Sequence, residues 1–373
     1  MKRSLLILWL VSLVSCAAFD NNKPPENPLS DTQLTNALQL ALEEGTKVQK
    51  AGGATASLYI SDGCQWVGTT GNTRPKPGVP IESEMIFGLG SITKTFVAAI
   101  ILQLVEERRL TLDDNLGKWM KDYPNIDSGI TIRQLLNHGS GLYNYTDSDF
   151  WDTVDANPDH VWTPSEILTY VKPPPHIGFA PPKYSNTNYI LLGMTVEIVT
   201  GNSFEHELQQ RIIGPLNLNN TRLVTENFQS ASWADRTFLA NSMYSGFWTA
   251  GAIASTAEDI AKWSHVFYSG RLFETATANE IFKTQPIRSQ WGAGEETGLG
   301  LFKQRIGAFI AWGHEGWAPP FVSSSFYVPE LNLSVAYSTI EPDFSQPDFL
   351  YQSLVRTYID NQPNSVSLCV GDS

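Results

Sequence analysis

Apolar residues recur at helical spacing over residues 34–44, whereas 54–60 and 65–69, separated by Asp62-Gly63, read as a β-hairpin. The chain therefore opens on mixed α and β structure. Residues 93–105 are apolar on nearly every face, the pattern of a helix buried all round and placed at the centre of the fold. From 110 to about 241 strand signals almost vanish, and helix-like segments at 132–136, 164–171, 189–199 and 204–212 are broken by Pro and Gly. Strands return after Trp248 at 301–304, 309–313, 321–328 and 333–339, and 348–359 closes the chain as a helix. The order predicts an α/β domain, discontinuous over 31–110 and 242–362, whose two parts share one sheet. An all-α domain at 111–241 is inserted between them, and 363–373 form a C-terminal tail.

The first residues follow a different logic. Met1-Lys2-Arg3-Ser4 is basic and 5–14 is an apolar run too short to span a bilayer, which predicts an export signal. Leu13-Val14-Ser15-Cys16 resembles the lipobox of bacterial lipoproteins, and that likeness implies removal of 1–15 and lipidation of Cys16. Ordinary cleavage near Ala17 or Ala18 is the alternative, and both lead out of the cytoplasm. Ala17 after the Cys resembles the outer-membrane sorting pattern, so the expected location is an envelope membrane, lipid-anchored and facing the periplasm, with 16–30 as a polar tether.

Composition narrows the function classes. Hydrophobic residues make up 42% and charged residues 17% of 373, which excludes a disordered or coiled-coil chain. The net charge of −13 removes the basic footprint that nucleic-acid binding needs. With Cys16 set aside, Cys64 and Cys369 remain; they either form one disulfide or stand as unrelated thiols. No Cys/His cluster has zinc spacing, and neither a metal nor a cofactor is expected.

Three polar groups interrupt the apolar pattern where chemistry is feasible. In Ser91-Ile92-Thr93-Lys94 the outer residues lie on one helix face. Lys94 there is one turn into the all-apolar helix, where desolvation favours the neutral amine that a Ser nucleophile needs as its base. A capping Ser with an exposed Lys is the plainer account, but this helix has no polar face to expose it on. Tyr184-Ser185-Asn186 precedes the helix near Tyr189 and offers a phenol for proton transfer and an amide to clamp a substrate carbonyl; Tyr123-Pro124-Asn125 repeats the pattern without a helix start. Trp312-Gly313-His314-Glu315-Gly316-Trp317 follows an apolar strand, and its glycines on an edge strand let a substrate backbone approach while His314 supplies hydrogen bonds or positive charge.

Taken in order, Ser-x-x-Lys, Tyr-x-Asn and His-x-Gly resemble the signature motifs of the serine β-lactamase and penicillin-binding protein superfamily, most closely its class C β-lactamase, DD-peptidase and esterase branch. Phe87-Gly88-Leu89-Gly90, Leu135-Leu136-Asn137-His138-Gly139-Ser140-Gly141-Leu142, Ile213-Gly214-Pro215-Leu216 and the stretch from Ala250 to Asp259 support it. The resemblance implies a β-lactamase/transpeptidase-like fold, with an antiparallel sheet flanked by helices. It assigns Ser91 as acylated nucleophile, Lys94 and Tyr184 as its proton carriers, Asn186, His314, Glu315 and Gly316 as substrate-binding residues, and the backbone N–H groups of Ser91 and Trp317 as oxyanion hole. The third motif departs from Lys-Thr-Gly, and Glu315 is expected to repel the substrate carboxylate that a hydroxyl residue there would hold. The expected activity is a serine hydrolase acting on a small ester or amide or on a peptidoglycan peptide, as a DD-carboxypeptidase or an esterase. The alternative is a catalytically silent envelope protein that keeps the fold for ligand binding or scaffolding.

Overall fold

The computed structural model describes residues 32–60, 64–73, 78–120, 123–173, 183–225, 241–288, 296–340 and 349–361. The expected signal and tether, Cys16, Cys369 and the C-terminal tail lie outside the described residues. Helix α1 (Thr32–Val48) precedes the hairpin β1 (Gly53–Tyr59) and β2 (Gln65–Gly71). A short β3 (Phe87–Gly88) leads through a 3₁₀ turn (Gly90–Ile92) into α2 (Thr93–Glu106). Next come α3 (Ile132–Leu136), α4 (Phe150–Ala156), α5 (Pro164–Leu168), α6 (Thr187–Thr200), α7 (Phe204–Leu208) and α8 (Gly214–Leu216). After β4 (Arg222–Leu223) the chain forms α9 (Asn241–Phe247), β5 (Ile253–Ser255), α10 (Ala257–Tyr268) and α11 (Thr275–Ile281). It finishes with β6 (Gln285–Pro286), β7 (Glu296–Thr297), β8 (Phe302–Ile306), β9 (Phe309–Ala318), β10 (Phe321–Val328), β11 (Leu333–Ile340) and α12 (Phe349–Asp360).

Both ends of the chain build one antiparallel sheet in the order β2-β1-β11-β10-β9-β8-β7-β6, joined where β1 pairs with β11. One face carries α1 and α12, whose Leu34, Leu38, Leu42, Leu350 and Leu354 pack on Ala54, Ala56, Phe326, Val328 and Val335. The opposite face, through Phe321, Tyr327, Ala336 and Ile340, meets the larger core that contains α2, α6 and α10. This arrangement buries α2 continuously from Thr93 to Leu102, as its lack of a polar side requires. Two of its polar residues are satisfied inside: the Thr93 hydroxyl accepts from Ile253 N at 3.0 Å, and Thr95 accepts from the Trp263 indole N–H at 2.8 Å. The Trp263 ring stacks on Phe96 at 4.2 Å.

Helices dominate between the two parts of the sheet, with two differences from the sequence pattern. Strand β4 lies within the span expected to be strandless, and with β5 and β3 it makes a small second sheet. Residues 204–212 also do not form one regular helix: α7 passes into a π turn (Gln209–Ile213). There Arg211 pairs with both Glu207 and Glu107, tying the turn to the end of α2.

Candidate active site

Ser91 lies in the 3₁₀ turn that runs straight into α2, so Lys94 falls on the same side one turn later. Lys94 is completely buried, and that burial lowers its ammonium pKa well below the usual 10.5. Three atoms surround its Nζ: Ser91 Oγ at 2.8 Å, Asn186 Oδ1 at 2.8 Å and the Ala250 carbonyl oxygen at 2.6 Å. A neutral amine has two N–H groups and one lone pair. The amide and main-chain oxygens can only accept, so they take the two N–H groups and the lone pair faces the Ser91 hydroxyl. Tyr184 Oη is 2.8 Å from Ser91 Oγ, and burial raises its phenol pKa, so it donates to the serine as a neutral group. The Ser91 proton is thus directed at the amine.

Tyr184 and Asn186 share the turn before α6, where Asn186 is the N-cap residue but makes no side-chain cap. Its side chain is used elsewhere: Oδ1 takes a Lys94 N–H, and Nδ2 donates to Thr146 Oγ1 at 3.1 Å. The amide expected to clamp substrate therefore holds the Lys94 amine in place, with one N–H left over. At the look-alike Tyr123-Pro124-Asn125, Asn125 donates to the Val171 carbonyl at 2.9 Å, a structural use.

The third motif lies inside β9, which is longer than the apolar pattern indicated. This is not an edge strand of the sheet, because β8 follows it. Pairing with β8 stops at Gly313, however, while pairing with β10 runs on to Ala318, so residues 314–318 form a local edge beside Ser91. His314 sits there, buried, with its ring 4.7 Å from Phe302 and 6.3 Å from Tyr184. Its Nδ1 is 2.5 Å from the Glu315 carbonyl oxygen, which only an N–H can serve, so Nε2 keeps the lone pair. Burial, and secondly Lys94, lower the imidazole pKa from 6.5 to about 3. The positive charge entertained for His314 is therefore absent near neutral pH.

Glu315 lies on the other face of the strand, contrary to the expectation that it meets a substrate carboxylate. Its neighbour His314 is paired with Ser325, whose hydroxyl bonds to Ser264 of α10, on the Ser91 side of the sheet. Glu315 is paired with Ser324, and strand alternation turns both toward the face that Phe326 and Val328 share with α1 and α12. Its carboxylate thus does not share the His314 wall of the site, and the repulsion expected from it has no basis in this geometry. Gly316 returns to the Ser91 side, where a Cβ would lie 1.8 Å from the Leu89 carbonyl oxygen and 2.9 Å from Ser91 N. Gly90, at φ of 53°, approaches from the other direction, and a Cβ on it would lie 2.4 Å from Trp317 N. The two glycines thus let the backbones of Ser91 and Trp317 close on each other, and the Trp317 side chain is 40% exposed at this rim.

Ser91, Lys94, Tyr184, Asn186 and His314 meet in one place. Asn144, Thr146, the Ala250 carbonyl and His138 join them without a sequence signal for a part in the site. Ala250 and His138 lie in stretches that carried the family resemblance, while Asn144 and Thr146 are loop residues with no spacing signal. Cys64 is disulfide-bonded, and its partner lies outside the described residues.

An antiparallel sheet backed by helices, with Ser, Lys and Tyr gathered between it and a helical region, is the architecture of the serine β-lactamase and penicillin-binding protein superfamily. Residues 41–349 match the Beta-lactamase family, and the chain belongs to that family. Penicillin-binding protein 4* of Bacillus subtilis is 35% identical over 150 residues, 39% of this chain and 32% of the relative. Teichoic acid D-alanine hydrolase of Staphylococcus aureus is 24% identical over 55% of this chain and 51% of its own length. The chain thus spans only about a third to a half of the curated relatives it matches. Among solved structures, a D-stereospecific amidohydrolase from a Streptomyces species superposes with a TM-score of 0.74 at 27% identity, covering 88% of this chain and 99% of that one. The D-amino acid amidase of Ochrobactrum anthropi SV3, complexed with L-phenylalanine amide, superposes at 0.76 with 25% identity and the same coverage.

Proposed function

We propose that this protein is a serine hydrolase that forms an acyl-enzyme through Ser91 and cleaves an amide or ester bond. The observation that carries this reading is the fully buried Lys94, its pKa lowered by that burial, with Nζ 2.8 Å from the Ser91 hydroxyl oxygen. Ser91 Oγ attacks the carbonyl carbon and its proton passes to Lys94. The negative oxygen is received by the backbone N–H groups of Ser91 and Trp317. As the C–N or C–O bond breaks, Tyr184 O–H protonates the leaving group and recovers a proton from Lys94. Water then attacks the ester on Ser91 along the reverse proton path and releases the acid.

The substrate class follows from the relatives and from His314. Several relatives are described as acting on D-amino acid amides or on teichoic acid D-alanine, which favours a small D-aminoacyl amide or ester. With a neutral His314 where many β-lactamases carry Lys, β9 offers no cation to a substrate carboxylate, so compounds lacking a free carboxylate beside the scissile bond are preferred. Export, with Cys16 as lipid anchor, belongs to the same proposal; the disulfide at Cys64 supports an oxidising compartment, and loss of palmitate incorporation in Cys16→Ser checks the anchor.

Wild type and Ser91→Ala are to be treated with a fluorophosphonate, a fluorescent penicillin, p-nitrophenyl esters, D-alanine amide and nitrocefin. Ser91-dependent fluorophosphonate labelling with ester or D-alanine amide turnover above nitrocefin turnover is expected. Rapid nitrocefin hydrolysis would overturn the substrate preference. No Ser91-dependent label with either probe would overturn the hydrolase reading in favour of a ligand-binding protein.

A further inference from the structure

Three successive backbone N–H groups in the turn that carries Tyr184 and Asn186 donate to acceptors from two separate segments, Arg288 before the last strands and the α3–α4 connection. Tyr184 N reaches the Arg288 carbonyl at 3.1 Å, Ser185 N reaches His138 Nδ1 at 3.2 Å, and Asn186 N reaches Asn144 Oδ1 at 2.9 Å. The middle acceptor is a ring nitrogen. His138 is buried at a φ of 58°, with its imidazole 4.3 Å from the Tyr184 ring at 31° and 5.4 Å from Tyr189. Asn188 Nδ2 approaches the same Nδ1 at 3.2 Å, and Asn188 Oδ1 accepts from the Ser140 hydroxyl at 2.6 Å. A backbone N–H can only donate, so Nδ1 must keep its lone pair and the ring proton belongs on Nε2. Burial first, then Lys94 and His314, hold the imidazole pKa well below 6.5 and so keep the acceptor available.

We propose that His138 is a positioning residue for the 184–186 turn. Its Nδ1 lone pair fixes the Ser185 amide and its ring face fixes the tilt of the phenol, so that Tyr184 Oη reaches Ser91 while Asn186 Oδ1 reaches Lys94. It acts through these two residues. The kinetic consequence rests on the acyl-enzyme reading above, whereas the tautomer and the turn geometry do not.

Two replacements tolerate the positive φ and so separate the acceptor from backbone strain. His138→Asn restores an oxygen near the place of Nδ1, and His138→Gly restores neither acceptor nor ring. Fluorophosphonate labelling of the full chain is to be timed for wild type and both variants with Ser91→Ala as blank, and the ring nitrogens of ¹⁵N-histidine protein read by NMR at neutral pH. The Asn variant is expected to label within about threefold of wild type and the Gly variant at least about tenfold more slowly, with a bare Nδ1 on His138 in the wild type. Equal rates in the two variants, or a protonated Nδ1, overturn the proposal. Should the wild type itself show no Ser91-dependent label, the acyl-enzyme reading falls, and the positioning role is decided by the Nδ1 proton together with Ser185 amide exchange. That exchange is faster in the Gly variant than in the Asn variant if the role holds, and equal in both if it does not.

Discussion

In the proposed mechanism Lys94 works as a base because the groups around it tolerate a neutral amine and leave its lone pair one useful direction. Raising the pH through its lowered pKa should therefore raise the Ser91 labelling rate along a single acid limb, centred below the ordinary 10.5. Lys94→Met keeps the volume of the side chain but removes the base, and labelling is expected to fall by about 10²–10⁴ with the circular dichroism spectrum retained. Tyr184→Phe removes only the hydroxyl at 2.8 Å from Ser91 and should slow labelling by about 10². A Met variant that labels at the wild-type rate would show that the serine proton leaves by another route.

At the scale of elements, the site depends on how closely β9 can lie against the 3₁₀ turn before α2. Gly316→Ala would drive a methyl group into the Leu89 carbonyl, 1.8 Å from its Cβ, so the strand must move away from Ser91. A loss of more than about 2 kcal/mol in unfolding free energy, together with slow labelling, is expected. Gly307 in the β8–β9 turn gives the contrast: its φ of 59° resembles that of Gly90, but no atom lies within 4 Å of a Cβ there. Gly307→Ala should cost only about 1 kcal/mol of backbone strain and leave labelling unchanged, which denaturant titration beside the labelling assay will check. The same strand shows where the sequence was readable. Its apolar start at Phe309 marks a strand, but Gly313 and His314 break the pattern, because a partly unpaired strand beside a site has no core to fill. Had the alternation been carried through the motif, Glu315 would have fallen on the face opposite His314. The Ser-x-x-Lys and Tyr-x-Asn pairs were legible because local spacing brings their members together. Thr146 and the Ala250 carbonyl were not, since one is a loop hydroxyl 40 residues from Asn186 and the other is main chain, which carries no letter.

Across the whole molecule, the sheet and the helical region close over two imidazoles that the fold holds neutral, His314 on β9 and His138 just after α3. Each has a native pKa below the ordinary 6.5, His314 at about 3, and burial is the leading cause for both. Below pH 6.5 the unfolded chain takes up protons that the native state refuses, so stability falls as pH drops through the window from 6.5 toward 3. The slope is at most about 1.4 kcal/mol per pH unit for each histidine. The depressed acids Asp114, Glu166, Glu207, Glu280 and Glu296 lose their contribution only as pH falls below their ordinary 3.8 to 4.5. The raised Glu258 and Asp259 act in the opposite direction, above their ordinary values, and so offset part of the histidine slope. Urea midpoints should therefore decline between pH 7 and pH 5, and His314→Gln, which cannot titrate, should make the decline shallower. A wild-type midpoint that stays constant over that interval would mean that both rings accept protons in the folded state, and the neutral wall facing Ser91 would then be lost.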